Sequence, residues 1–297
     1  MLFARILGAG AGGGLPQWNC GCSNCDLARR GKIPHQTQSS VAVSADGASW
    51  AILNASPDIR AQIAASPYLH PTGPRQTPLR SVLLTNGDID HVAGLLSLRE
   101  GQTFTLYATG EILDVLDANP IFTALAADKV TRKAVAIGVE TEVAPGLTAE
   151  LFFVPGKAPL YVEGANPVTD LIGEQTVGVQ LRAGDVHAFY IPGCAAVTPD
   201  IAARVRGAPL VFFDGTLWRD DEMLVEGVGT KTGKRMGHIS MSGPDGAIAA
   251  FAGLGVARRV FVHLNNTNPV LRPDSDERAQ AVAAGWEIGA DGMEIAI

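Results

Sequence analysis

The chain has 297 residues, 46% of them apolar, enough to bury a sizeable core in one large domain or two small ones. A formal net charge of −7 with no basic run argues against nucleic acid as the main partner. The start, Met1-Leu2-Phe3-Ala4-Arg5-Ile6-Leu7, lacks the pattern of a signal peptide, and no apolar run reaches bilayer length, so the expectation is a cytoplasmic protein without a membrane partner.

In chain order, residues 3–7 read as a strand that runs into the glycine-rich residues 8–14. Residues 15–20 make no helix start, and no acidic residue stands where a dinucleotide site needs it. The better reading is a tight loop that brings backbone close to a site. Cys20, Cys22 and Cys25 come next, a spacing that suits a metal better than a disulfide framework. Residues 40–44 and 50–54 form a hairpin pair around Asp46-Gly47, and 57–63 a short helix with proline in its first turn. The apolar run Ser81-Val82-Leu83-Leu84 is a strand that empties into Thr85-Asn86-Gly87-Asp88-Ile89-Asp90-His91. A helix over 92–99, a strand over 104–108 and a helix over 110–117 come after it.

The second half repeats the style. Residues 148–154, 176–182 and 188–191 read as strands, 199–206 as a helix and 210–213 as a buried strand. Helices are predicted over 243–253 and 275–284, and strands over 259–262, running into His263, and over 293–297. No linker divides the chain, so the expectation is a single domain over 1–297, an α/β sandwich with helices on its outer faces.

Polar residues just past a buried strand are where α/β folds place chemistry. Two imidazoles and a carboxylate that meet in space make the facial triad that suits mononuclear Fe(II) and leaves positions open. Asp90, His91 and His263 are the candidates. Alone, Asp90 reads as the cap of the helix that begins there; His263 at a matching strand end turns the balance toward a metal.

These motifs resemble a known fold family. Asn86-Gly87-Asp88-Ile89-Asp90-His91 followed by Ala93-Gly94-Leu95 is similar to the HxHxDH loop of the metallo-β-lactamase fold. Tyr190-Ile191-Pro192-Gly193-Cys194 resembles the strand end with that family's bridging aspartate, and Val260-Phe261-Val262-His263 the one with its last histidine. The resemblance implies an αββα sandwich of two mixed sheets. It also implies that one hydrolase zinc site is dismantled: Asn86, Asp88 and Gly156 stand where its three histidines would be, and Cys194 replaces the aspartate. Asp90, His91 and His263, the ligands of the other site, survive.

The strings Cys20-Gly21-Cys22-Ser23-Asn24-Cys25, Asn54-Ala55-Ser56-Pro57-Asp58 and His263-Leu264-Asn265-Asn266-Thr267-Asn268-Pro269 are more similar still to the B-protein family of pyrroloquinoline quinone (PQQ) biosynthesis. That resemblance implies a non-haem Fe(II)-dependent hydroxylase that uses molecular oxygen on a tyrosine-derived, Glu–Tyr-like dipeptide precursor. Zinc or another divalent metal is the alternative at the active site. A carrier for PQQ or its precursor, and a metal-dependent hydrolase, are the competing functions. Asp88, Cys194 and Asp214 are further candidate ligands, and His238, in Met236-Gly237-His238-Ile239-Ser240, resembles a phosphodiesterase acid–base loop. His238 reads equally as a loop histidine bonded to backbone. The cysteine triplet is expected to hold a structural zinc, its fourth ligand being Asn266, His35, another polar side chain or water. A homodimer is left open.

Overall fold

The structure, a computed structural model, describes residues 1–165 and 167–297. The first sheet contains β1 (Phe3–Gly8), β2 (Ser40–Ser44), β3 (Trp50–Leu53), β4 (Leu79–Leu83), β5 (Phe104–Ala108) and β6 (Val130–Ala134). The second contains β7 (Thr141–Ala144), β8 (Leu147–Gly156), β9 (Leu171–Ala183), β10 (Val186–Ile191), β11 (Leu210–Asp214), β12 (Arg258–Val262) and β13 (Trp286–Ile288). β14 (Glu294–Ala296) returns to the first sheet beside β1. The strand orders are β14-β1-β2-β3-β4-β5-β6 and β13-β12-β11-β10-β9-β8-β7.

Each sheet is antiparallel at one end and parallel at the other. β3 to β6 run parallel in the first, and β10 to β13 in the second. Parallel strands are covered on both faces and read as continuous apolar runs. β11, Leu210-Val211-Phe212-Phe213-Asp214, is buried at every position. Leu53, Leu83, Val179, Tyr190, Phe212 and Val260 belong to the layer between the sheets. Outside the first sheet, the helix Gly110–Asp117 buries Ile112, Leu113 and Leu116, and Thr109 caps it by accepting the Ile112 N–H. Outside the second, Phe213, Phe251 and Trp286 pack edge to face or tilted under the helices. The αββα sandwich expected from the sequence is what the chain forms. Among the described residues, no helix is long and apolar enough to cross a membrane.

Departures from the predicted elements have local causes. The helix expected over 92–99 is instead a short α-turn, Ile89–Val92, followed by a 3₁₀ stretch, Ala93–Leu98. Gly94 forces this, because its N–H donates to Ala55 O at 2.9 Å. A Cβ on Gly94 would stand 2.0 Å from Ser56 O. The helix expected over 243–253 shrinks to Ala247–Ala250, behind the turn-forming Gly243, Pro244 and Gly246. β6, β7 and β13 are not among the predicted strands. All three are end strands of their sheets, and β6 is Val-Thr-Arg-Lys-Ala, polar as an edge should be.

The parallel runs fix where chemistry can sit. β4, β10, β11 and β12 each end in a polar loop, and these loops meet. Open parallel sheets gather ligands in that position, beyond the carboxyl ends of their strands.

Candidate metal centre

His91 is built for a ligand by its surroundings. The Asp88 N–H donates to Asn86 Oδ1 at 3.0 Å, which fixes the amide's orientation, and the same oxygen accepts His91 Nδ1–H at 2.7 Å. The ring proton is therefore on Nδ1 and the lone pair on Nε2. His91 is 1% exposed, and among the described residues its Nε2 has no hydrogen-bond partner. That orphaned nitrogen lies 4.0 Å from Asp90 Oδ2. Burial drives the His91 pKa down to about 4, so the ring is neutral and able to bind metal at pH 7.

His263 enters from the end of β12 with φ 58°, a left-handed backbone that a non-glycine residue adopts at a cost of about 1–3 kcal/mol. Its Nε2 lies 3.1 Å from the same Asp90 oxygen. Burial alone would lower the His263 pKa, but the hydrogen bond and charge of Asp90 outweigh it and raise the value. For Asp90 burial pushes upward, and His91 and His263 outweigh it, holding the carboxyl below its ordinary range. The ligand atoms of Asp90, His91 and His263 all lie within 4.8 Å of one another. The buried orphan nitrogen and the N,N,O donor set fit a divalent cation.

Asp214, His238 and His263 form a second group of the same dimension. His238 Nδ1 donates to Asp214 Oδ2 at 2.7 Å, and its ring stacks on His263 with centroids 5.1 Å apart. Burial would raise the Asp214 pKa, but the His238 contact outweighs it and the carboxylate stays ionised. The glycine-rich loop after β1 is indeed a close backbone approach: a Cβ on Gly12 would stand 3.5 Å from the Asp90 carboxyl carbon. Ala11 N–H donates to Leu264 O and Leu264 N–H to Ala9 O, both at 2.8 Å, which ties that loop to the residue after His263.

The cysteine triplet forms a third group. The Asn266 side-chain amide points into it, with Nδ2 at 3.2, 3.4 and 3.4 Å from the sulfurs of Cys20, Cys22 and Cys25. A half-turn of that amide would present Oδ1 from the same place, so Asn266 is geometrically a fourth donor for a cation held by three thiolates. Burial pushes the Cys22 thiol up to about 12, which a bound cation would reverse. His35 is not drawn in: its Nε2 pairs with Ala28 O at 3.0 Å.

Two expected ligands are placed elsewhere. Asp88 belongs to none of the three groups, and its carboxylate sits 3.6 Å from Lys157 Nζ. Burial raises the Asp88 pKa, partly offset by Lys157. Cys194 also stands outside the groups. Its thiol donates to Ala196 O at 3.1 Å, while its backbone N–H donates to Asp214 Oδ2 at 2.9 Å. Gly156 lies at the end of β8 with Thr176 packed where a side chain would begin: a Cβ there would stand 2.7 Å from the Thr176 side chain. Sequence reasoning missed Asn86 as the partner of His91, Thr216 beside His238 and His263, and the rim cations Lys157 and Arg235, which share Glu163 at 3.1 and 2.9 Å. The only sequence signal for Asn86 was an amide where the fold family has a histidine.

The class of protein follows from sandwich and site together. The Beta-lactamase superfamily domain family matches residues 49–264, from β3 to just past His263. A diphosphatase of the PhnP family superposes with TM-score 0.69 at 20% identity over 100% of this chain and 98% of that one, which speaks for the fold alone. Coenzyme PQQ synthesis protein B of Ruegeria pomeroyi is 57% identical over 292 residues, 98% of this chain and 99% of that protein. The crystal structure of Zn(2+)-bound PqqB from Methylobacterium extorquens superposes with TM-score 0.98 at 54% identity, covering 99% of this chain and 100% of the other. Within the β-lactamase superfamily, this chain belongs to the coenzyme PQQ synthesis protein B family.

Proposed function

We propose that the protein is an Fe(II)-dependent hydroxylase that acts on a tyrosine-derived, Glu–Tyr-like dipeptide during PQQ biosynthesis, with Asp90, His91 and His263 as its metal ligands. The observation that carries this reading is the buried, unpartnered Nε2 of His91 facing the carboxylate that His263 Nε2 also reaches. A bound Fe(II) ion held by these three residues would supply oxygen activation at that point. In the overall reaction one oxygen atom enters the ring and the other leaves as water, with two electrons from an external donor. Asn86 orients the His91 imidazole, and Asp214 holds His238 at a fixed angle beside His263, where it can move a proton.

The Asp214–His238 pair also favours a second reading, a hydrolase in which His238 is the acid. Anaerobic loading with Fe(II), followed by oxygen uptake and product mass with a Glu–Tyr dipeptide, separates the functions. A product heavier by oxygen, absent in His263→Ala, is expected. A hydrolase would need no oxygen and would accept zinc. Tight PQQ binding without turnover would instead mark a carrier.

A further inference from the structure

Thr216 follows β11 by two residues and is buried. Its hydroxyl oxygen lies 2.7 Å from Asp214 Oδ1, 2.8 Å from His263 Nδ1 and 3.1 Å from His238 Nδ1. One hydroxyl has one proton to give, so only one of these contacts can be a donation by Thr216. The neighbours decide which. Both Asp214 oxygens already accept backbone N–H groups, Oδ1 from Thr216 and Oδ2 from Cys194, so the carboxylate is an acceptor here and the Thr216 proton points at Oδ1. Asp214 then accepts four hydrogens: from the Thr216 hydroxyl, the Thr216 N–H at 3.0 Å, the Cys194 N–H at 2.9 Å and His238 Nδ1–H at 2.7 Å. The His238 proton is committed to that shorter bond. The Thr216 lone pairs are left to accept from His263 Nδ1–H.

We infer that Thr216 is a positioning residue: its hydroxyl holds His263 in the Nδ1–H tautomer, so that the Nε2 lone pair faces Asp90 and the metal site. Asn86 does this for His91, and Thr216 does it for His263 from the other sheet. The two imidazoles thus present Nε2 toward one carboxylate, although His263 lies 173 residues beyond Asp90 in the chain. The role of Thr216 also explains how a left-handed residue at a strand end keeps a defined ring orientation. The hydroxyl pins Nδ1 on one side, and a cation shared with Asp90 would hold Nε2 on the other.

This inference rests on the reading of Asp90, His91 and His263 as metal ligands, and its test separates the two. Cobalt(II) binding is measured by competition with a chelator, with the cysteine cluster kept zinc-loaded, in Thr216→Val, Thr216→Ser and His263→Ala. The ¹⁵N signals of the His263 ring report the tautomer in protein in which the cysteine cluster alone holds zinc. Thr216→Val keeps the shape and loses the hydroxyl; it should bind cobalt about 10–100-fold more weakly and lose the wild-type ¹⁵N pattern. Thr216→Ser should restore both. Wild-type affinity and tautomer in Thr216→Val overturn the inference, as does equal weakening in Thr216→Val and Thr216→Ser. If His263→Ala binds cobalt as tightly as wild type, the ligand reading itself fails. Loss of binding in His263→Ala with none in Thr216→Val overturns the positioning role alone.

Discussion

Three positions separate His263, which faces the Asp90 carboxylate, from Asn266, which faces the thiols of Cys20, Cys22 and Cys25. One loop after β12 therefore serves two clusters of opposite character. The cysteine cluster is sulfur-rich, has its inward amide already in place, and stitches the loop after β1 to the loop after β12. Cys22 packs in the helix-side core, and Asn24 Nδ2 donates to the carbonyls of Asn266 and Asn268 at 2.9 Å each. The Asp90 cluster is nitrogen and oxygen, with a ring nitrogen left free. A closed soft site stabilises a fold, whereas an open hard-to-borderline site exchanges ligands. The contrast teaches that burial alone does not make a site structural. His91 is as buried as Cys25, and the difference is an unsatisfied lone pair.

The contrast breaks first under ligand removal at the open site. His91→Ala and His263→Ala should each abolish active-site metal and lower activity by more than the roughly 100-fold that a change in an outlying partner costs. Metal analysis and circular dichroism check that the cysteine-bound metal and the fold are kept. Wild-type activity in either variant would sink the triad. Cys22→Ser should do the reverse: zinc content falls, and the melting temperature drops by at least about 5 °C, since about 1 kcal/mol is worth roughly 2–4 °C in a chain of this size class. Unchanged zinc content and melting would end the structural-site idea.

Asn86→Leu sharpens the comparison, because it removes the acceptor for His91 Nδ1 while leaving every ligand atom in place. Metal affinity should fall about 10–100-fold with little change in melting, as seen by chelator competition. The last effect concerns the support of the shared loop and is read as stability alone. Glu222 accepts the Trp218 N–H at 2.7 Å and the Thr267 hydroxyl at 2.6 Å. Burial pushes its pKa up to about 7 from 4.5. The folded state thus holds a proton that the unfolded chain has released, so stability is full below about pH 4.5 and falls as pH rises through 7. The total is at most about 3 kcal/mol. Urea unfolding at pH 5 and pH 8 should show this loss in the wild type and a flatter profile in Glu222→Gln; equal slopes would refute it.

Much of this was legible in the sequence. The apolar run ahead of Thr85 and the strand ending at His263 announced both halves of the open site, and the spacing of Cys20, Cys22 and Cys25 announced the other cluster. Strands buried between layers leave a strong periodic or continuous apolar signal, which is why β4, β8, β10, β11 and β12 were found. The edge strand β6 leaves no apolar signal because Thr131, Arg132 and Lys133 are polar and Val130 is its one buried residue. Within the site, Asp88 and Cys194 looked like replacements for lost ligands. Their fates depend on Lys157, Ala196 and Asp214, side chains and carbonyls brought in by remote elements. Thr216 gave no signal at all. A hydroxyl becomes a hub only when two histidines from elsewhere are laid against it.

The contact between Cys20 and Asn266 spans 246 residues, and that between Asp90 and His263 spans 173. Closing such long loops adds little to the equilibrium cost, since the penalty grows only with the logarithm of length, but it delays the moment at which the ends can meet. Neither cluster can exist on a nascent chain until the segment beyond β12 has been synthesised. A stalled or truncated product lacking His263 to Asn268 would have all three cysteines and the Asp90–His91 pair, yet neither assembled cluster.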